Sequence, residues 1–166
     1  MYTPYEEIYE LFYNRVINDK RFFLAGIVSP QEAEEIARKR SKSLLLESIV
    51  YIQTSGTKDC EVNFIGDRDD YAEEFTFELS LVEKQLIADV MLQKYLEKDI
   101  TIRLNALGQV FEDADLKVFS PYNDIKYFNL ALTELRELND SAIDRYKSRD
   151  RETFKQKISV FNYDFD

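Results

Sequence analysis

Hydrophobic residues recur at helical spacing in four long segments, which predicts a mainly α-helical protein. Apolar side chains three and four positions apart mark one face of a helix. The four segments cover residues 5–18, 29–54, 80–104 and 121–148. The centre of the third segment, LIADVML, is apolar around most of its circumference, which predicts burial on several sides. We therefore expect a helical bundle of about four helices.

Capping residues mark the starts of these helices. Ser29 with Glu32, and Ser80 with Glu83, have the spacing of a capping box, in which each residue bonds the backbone of the other. The fourth segment opens with SPYND, where serine (Ser120) is the expected cap and proline suits the first helical position. These signals predict where three of the four helices begin.

Alternating apolar residues predict a short β element between the second and third helices. The stretches CEVNFIG and EEFTFEL alternate, at Val62 and Phe64 in the first and at Phe75 and Phe77 in the second. Two strands alone are marginally stable, so they must pack on the helices or pair with another subunit. We expect a short β-hairpin or extended arm at about residues 60–79.

We expect residues 1–150 to form one helical domain and residues 151–166 to form an extended C-terminal tail. Phe161, Tyr163 and Phe165 stand at every second position of this tail. Two interpretations stay open. The tail is either a last strand packed on its own chain, or a docking segment that adds to a neighbour by strand addition or aromatic anchoring.

The composition argues against an enzyme. The 166 residues include one cysteine and no histidine, which excludes an internal disulfide, histidine-dependent nucleophiles and a structural zinc site. Cys60 lies between Asp59 and Glu61, and neighbouring negative charge raises a thiol pKa. No glycine-rich phosphate loop, signal-peptide pattern or membrane-length apolar run is found. We expect no catalytic residues and no cofactor.

The stretch GDRDDYAEEF, residues 66–75, is a candidate site because it is dense in carboxylates. The acidic residues are Asp67, Asp69, Asp70, Glu73 and Glu74. A calcium loop would use Asp67, Asp69 and Glu78 as its first, third and twelfth positions. However, tyrosine and alanine occupy the fifth and sixth positions, where such a loop needs an oxygen ligand and a glycine. We therefore predict no metal site and favour a charged turn.

The basic run RKRSK, residues 38–42, is interpreted as a solvated helix face. Glu34 and Glu35 lie one turn earlier, at the spacing of helical ion pairs. Consecutive residues also point in different directions around a helix, so the run does not form the basic face of a nucleic-acid site.

The order of these features resembles a known family. The helix YEEIYELFYNRV is followed by DCEVNFIGDRDD, by FTFELSLVEKQLIADVMLQKYLEKDI, by VFSPYND and by a long helix ending AIDRYKSRD. From about residue 5 to about residue 148, this order is similar to the head–tail connector, adaptor or neck proteins of tailed bacteriophages. The chain departs from that pattern at Tyr95 and Leu96, where the family suggests a tryptophan.

The resemblance implies a structural virion protein, located in the neck and assembled in the host cytoplasm. It implies a homo-oligomeric ring of twelve copies beneath the portal protein, with a stopper or tail-side neck protein on the other side. Viral DNA would pass through the lumen without specific binding, and no membrane is involved. The long helix 121–148 should pack laterally against its neighbours.

The negative net charge of the chain has a physical role in such a ring. The net charge is −10, and an acidic inner wall repels phosphates, so that DNA slides without strong contacts. The acidic residues of the stretch 66–75 are then candidates for the lumen or for contact with a basic neighbour. Phe161, Tyr163 and Phe165 are candidates for tail docking.

An alternative is a small acidic helical adaptor, or a regulator that mimics DNA and acts as a dimer. Mimicry needs carboxylates spaced like phosphates along one face. In the second and fourth predicted helices the acids are interleaved with bases, which favours the connector interpretation.

Overall fold

Helices dominate the part of the chain that this computed structural model describes. The described residues are 2–23, 27–56, 58–111, 121–153 and 155–157, with side chains described except at positions 20, 102–111 and 121–125. The elements are β1 Thr3–Pro4, α1 Tyr5–Val16, α2 Lys20–Phe23, α3 Pro30–Thr54, β2 Arg68–Asp69, β3 Glu74–Phe75, α4 Leu81–Phe111 and α5 Pro121–Lys147. The predicted mainly α-helical fold with a short hairpin is confirmed.

Both predicted capping boxes are present. Ser29 N donates to Glu32 Oε2 at 3.0 Å, and Glu32 N donates to Ser29 Oγ at 3.3 Å. At the start of α4, Ser80 N donates to Glu83 Oε2 at 2.7 Å, and Glu83 N donates to Ser80 Oγ at 3.3 Å. The predicted cap of α5, Ser120, lies outside the described residues.

The end of α3 is capped by the end of α5. Gly56 has a φ of +77°, the left-handed conformation that commonly ends a helix. A Cβ at this position would lie 2.5 Å from Asp144 Oδ1, so a larger residue would displace the Asp144 side chain and would be strained by the positive φ. The Lys147 ammonium donates to the carbonyl oxygens of Gln53 and Ser55. These contacts hold the two helix ends together.

α4 is the central helix, and it packs against α1, α3 and α5. The side chains at its apolar centre are buried: Leu86, Ile87, Ala88, Val90 and Met91. Its predicted burial on several sides is therefore confirmed. α1 contributes the opposite wall of the core with the buried side chains Tyr5, Ile8, Tyr9, Phe12 and Val16.

The sheet differs from the predicted hairpin. Three two-residue strands pair in the order β1-β3-β2, all antiparallel. The prediction of a strand at residues 60–66 is wrong, because that segment forms turns. Phe64 N donates to Gln53 Oε1 at 3.1 Å, and the buried Phe64 ring lies 6.4 Å from the Phe75 ring. Val62 and Phe64 therefore pack in or against the core although their segment is not a strand. The strands β2 and β3 form instead within the acidic stretch, residues 66–75.

A short helix, α2, was not predicted, and it completes an aromatic cluster. The Phe22 ring lies 5.2 Å from the rings of Phe12 and Tyr95, in edge-on arrangements. Tyr95 donates from its hydroxyl to Asp19 Oδ2 at 2.6 Å, and Asp19 Oδ1 accepts from Arg21 N at 3.0 Å. Tyr95, at the position where the resemblance suggests tryptophan, thus fills the core and binds the residue that precedes α2.

The chain beyond α5 returns onto the helices as far as it is described. Ser148 O accepts a hydrogen bond from Lys157 N at 2.9 Å. Lys157 Nζ also lies 2.6 Å from Glu61 Oε1. The division at residue 150 stays a prediction. The tail residues Phe161, Tyr163 and Phe165 lie outside the described residues.

Within the described ranges, no helix has the length and apolar character needed to cross a membrane.

Candidate functional site

The acidic loop, residues 66–75, is the site that sequence patterns indicated most directly. Asp69 pairs with Glu74 across β2 and β3, and the four residues between them make the turn. Asp69 Oδ1 accepts hydrogen bonds from Tyr71 N at 2.8 Å and from Ala72 N at 3.0 Å. These backbone bonds lower the pKa of the Asp69 carboxyl. The turn is therefore ordered by one of its own acidic side chains.

Glu73 fastens the acidic loop to α3. Its backbone has a φ of +56°, an uncommon conformation for a residue with a side chain. Its carboxylate accepts from Lys42 Nζ at 2.9 Å and from Arg38 Nη2 at 2.8 Å. The bonds from Lys42 and Arg38 lower the pKa of the Glu73 carboxyl despite its partial burial. Lys42 Nζ also donates to Asp70 O at 2.8 Å, so that α3 holds the turn at both Glu73 and Asp70.

Asp70 faces back toward α1. The Tyr5 hydroxyl donates to Asp70 Oδ1 at 2.9 Å, and Arg68 Nε donates to Asp70 Oδ2 at 3.2 Å. Burial, and then the nearby Asp70 carboxylate, raise the pKa of the Tyr5 hydroxyl. Tyr5 N also donates to Glu73 O at 2.9 Å. The start of α1 is therefore the second support of the acidic loop.

Tyr71 and two carboxylates remain on the outer surface of the acidic loop. Tyr71 is 100% exposed, and Asp67 and Asp69 are also exposed. Among the described residues, Asp67 and Asp69 have no basic partner, whereas Glu74 is half-buried. The five predicted acidic residues therefore differ in their surroundings. Asp67 and Asp69 face outward, Asp70 and Glu73 are bonded to other elements, and Glu74 is half-buried.

Metal binding at the acidic loop has no structural support. In the described part of the chain, no group of three or more carboxylate, cysteine or histidine side chains is arranged to hold a metal ion.

Basic side chains of the run RKRSK contact other elements of the protein, which the sequence pattern did not predict. Lys39 pairs with Glu35 at 2.6 Å along the helix, as the solvated-face interpretation predicts. Arg40 Nη1 instead donates to Phe22 O at 2.6 Å and Arg21 O at 3.0 Å, at the end of α2. The first and last residues of the run hold the acidic loop. Runs of opposite charge about 30 residues apart were the only sequence signal for this pairing.

A buried carboxylate, Glu83, joins α4 to α5 and to the chain that follows α5. Its exposed fraction is 0%. Arg151 Nε donates to Glu83 Oε1 at 2.7 Å, and the Tyr146 hydroxyl donates to the same atom at 2.7 Å. Burial raises the pKa of this carboxyl, but the bonds from Arg151, Tyr146 and Ser80 outweigh it, and the net pKa is lowered. A carboxylate held as an anion by so many donors is a structural group and a poor proton acceptor.

Cys60 is half-buried, and its thiol has a raised pKa. Burial is the largest cause, Lys147 acts in the opposite direction, and Asp59 makes a smaller contribution. The direction matches the sequence argument, although burial outweighs the acidic neighbours. A protonated thiol is a poor nucleophile.

The α5 helix exposes an apolar stripe between residues 127 and 138. This stripe, called the α5 stripe, consists of Tyr127, Leu130 and Leu138, which are 70%, 58% and 65% exposed. Their spacing places them on one side of the helix. Leu132 and Ile143, on another side, are buried. The helix therefore has apolar residues on two sides, and among the described residues only the side of Leu132 and Ile143 is buried.

Comparisons with protein-family models, with curated proteins and with solved structures find no match to this chain.

Proposed function

We propose that this protein is a structural virion protein, a head–tail connector that forms a homo-oligomeric ring beneath the portal of a tailed bacteriophage. The order of motifs along the chain supports this function. The α5 stripe is the observation on which the proposal chiefly rests, because a helix with an uncovered apolar face is typical of a subunit interface. In the ring, the stripe packs laterally on a neighbouring subunit.

The acidic loop contacts a basic neighbouring protein in this proposal. The exposed ring of Tyr71 favours a protein contact over the DNA channel, because tyrosine is enriched at protein–protein interfaces. Loop conformation is already defined by Asp69 and Glu73. A defined loop loses little conformational entropy when it binds.

Sedimentation of variants of the α5 stripe tests the proposed interface. Leu130→Asp and Leu138→Asp introduce charge at exposed apolar positions, so we expect each to weaken self-association by at least about tenfold. Ile17→Asp is the matched control, because Ile17 is 66% exposed and lies at the C-terminal cap of α1, away from the α5 stripe. Analytical ultracentrifugation over a concentration series measures the effect, with portal protein from the same genome added as a template.

Electron cryo-microscopy of the virion neck decides the assembly itself. We expect a ring of this protein between portal and tail-side proteins, with the α5 stripe in subunit contacts. A virion without such a ring contradicts the proposal. If affinity purification recovers a nuclease or a repressor in place of portal protein, the DNA-mimic alternative replaces the connector.

A further inference from the structure

A groove between the start of α4 and the end of α5 has an apolar floor and arginines on its rim. Its volume is about 270 Å³. The apolar lining comes from Val82, Leu86 and Ala142, and Val82 is 48% exposed. The charged and polar lining residues are Gln85, Asp89, Arg145, Tyr146, Arg149, Asp150 and Arg151. We call this site the arginine groove.

The acidic residues of the arginine groove are already bound. Asp89 Oδ1 accepts from Arg15 Nε at 2.8 Å. Asp150 Oδ1 accepts from both the backbone N and the hydroxyl of Thr153, each at 2.7 Å. Carboxylates at this site therefore have local partners.

Two of the three arginines have unused capacity for an anion. Arg151 is bound to the buried Glu83. Arg145 donates from Nε to Ser141 O at 3.2 Å, and Arg149 has no side-chain partner within the described ranges. Neither Arg145 nor Arg149 has a carboxylate partner among the described residues. Although the net charge of the chain is −10, two guanidinium groups beside one apolar floor thus lack a carboxylate partner within the described ranges.

We propose that the arginine groove binds residues 158–166 of the same chain, with aromatic side chains on the floor and carboxylates against Arg145 and Arg149. The segment ISVFNYDFD alternates Phe161, Tyr163 and Phe165 with polar residues and contains two aspartates. This chemistry matches the groove, because guanidinium groups bind carboxylates and also stack on aromatic rings.

The position of Lys157 favours docking of the segment from the same molecule over docking from a second copy. Lys157 N is bonded to Ser148 O, one residue before the groove-lining Arg149. The segment therefore starts close to the groove, and nine extended residues span at most about 30 Å. A tethered ligand at such short range has a high effective concentration, which exceeds that of a second copy in dilute solution. This inference concerns one chain and does not rest on the proposed ring.

Disulfide trapping in the full-length chain tests the docking. Cys60→Ser removes the one native thiol. Gln85→Cys with Asn162→Cys then places one thiol among the polar lining residues of the groove and one on the side of the segment that alternation turns away from the apolar floor. All three aromatic residues are kept. We expect an intramolecular disulfide that forms at least about tenfold faster than in the control pair, Leu130→Cys with Asn162→Cys. Leu130 is exposed on α5, about 18 Å along the helix from Ala142.

Charge reversal separates specific docking from random encounter. In the trapping variant, we expect Arg149→Glu to slow disulfide formation by up to about fivefold, as the loss of an exposed ion pair allows. Lys155→Glu is the matched control, because Lys155 is exposed and does not line the groove. Thermal unfolding verifies that each variant is folded.

Two outcomes overturn the proposal. Equal trapping rates for the Gln85 and Leu130 pairs would show that the segment has no preference for the groove. Disulfide-linked dimers that increase with protein concentration would show that the segment of another copy occupies it. A ring could still form in either case, so these results leave the proposed function unaffected.

Discussion

At the scale of single residues, buried polar groups differ in how well their hydrogen bonds are satisfied. Tyr146 is half-buried and donates to Glu83. Tyr9 is 1% exposed, and its hydroxyl has no hydrogen-bond partner among the described residues. A buried hydroxyl without a partner loses its hydration and gains nothing in return.

Removal of the two hydroxyls should therefore have different effects on the free energy of unfolding. We expect Tyr9→Phe to leave the free energy of unfolding unchanged or to raise it by up to about 1 kcal/mol. We expect Tyr146→Phe to lower it by about 2 kcal/mol, because the bond to a charged acceptor is lost. Urea unfolding measures both. A clear loss of stability in Tyr9→Phe would mean that its hydroxyl has a partner, such as an ordered water.

At the scale of elements, the acidic loop is held by helices distant in sequence. β2 and β3 contribute only two residues each, too few for an independent hairpin. Arg38 and Lys42 on α3 bind Glu73, and α1 supplies Tyr5. The conformation of the loop therefore depends on its tethers more than on its strand pairing.

Removal of the α3 tethers should release the acidic loop without unfolding the helices. We expect Arg38→Ala with Lys42→Ala to speed amide hydrogen exchange at Tyr71 and Ala72 by about tenfold. These amides are bonded to Asp69 in the intact loop. Lys39→Ala is the matched control, since in the described part of the chain the Lys39 ammonium pairs with Glu35 and not with the acidic loop. Unchanged exchange in the double variant would show that the turn is stable by itself.

At the scale of the whole molecule, paired carboxylates join the helices and make stability depend on pH. Asp19, Glu73, Glu83 and Glu97 all have lowered pKa values. Hydrogen bonds and nearby bases favour their charged forms over the cost of burial. A carboxyl with a lowered pKa in the folded state stabilises fully above its unfolded pKa. That contribution is lost as pH falls through the folded value.

The free energy of unfolding should therefore fall as pH drops below about 4.5, the ordinary value of a glutamate carboxyl. Glu83→Gln should cost about 3 kcal/mol at neutral pH, because it leaves Arg151 without its buried partner, and should flatten the acid dependence. Glu7→Gln is the matched control, because Glu7 is half-exposed and pairs with Lys84 at the surface. It should lower the free energy of unfolding by less than about 1 kcal/mol. Urea unfolding at several pH values measures both; an equally steep acid dependence in Glu83→Gln would contradict this role.

Local patterns predicted the helices well because their signals are local. Periodic apolar residues and capping boxes act within a few residues of each other, and α3 and α4 begin where Ser29 and Ser80 indicated. The strand at residues 60–66 was wrong for the same reason. The apolar residues Val62 and Phe64 do alternate with polar ones, but Phe64 is buried in the core from a turn and not from a strand.

By itself, the sequence determined the helical class, the helix starts, the apolar centre of α4 and the lack of histidine chemistry. Only the tertiary structure decided which charges are free. It paired Glu73 with a basic run on α3, buried Glu83 against Arg151, and left Asp67, Asp69 and Tyr71 outside. These contacts join residues 30 to 70 positions apart, and a charged residue has no periodic pattern that names its distant partner.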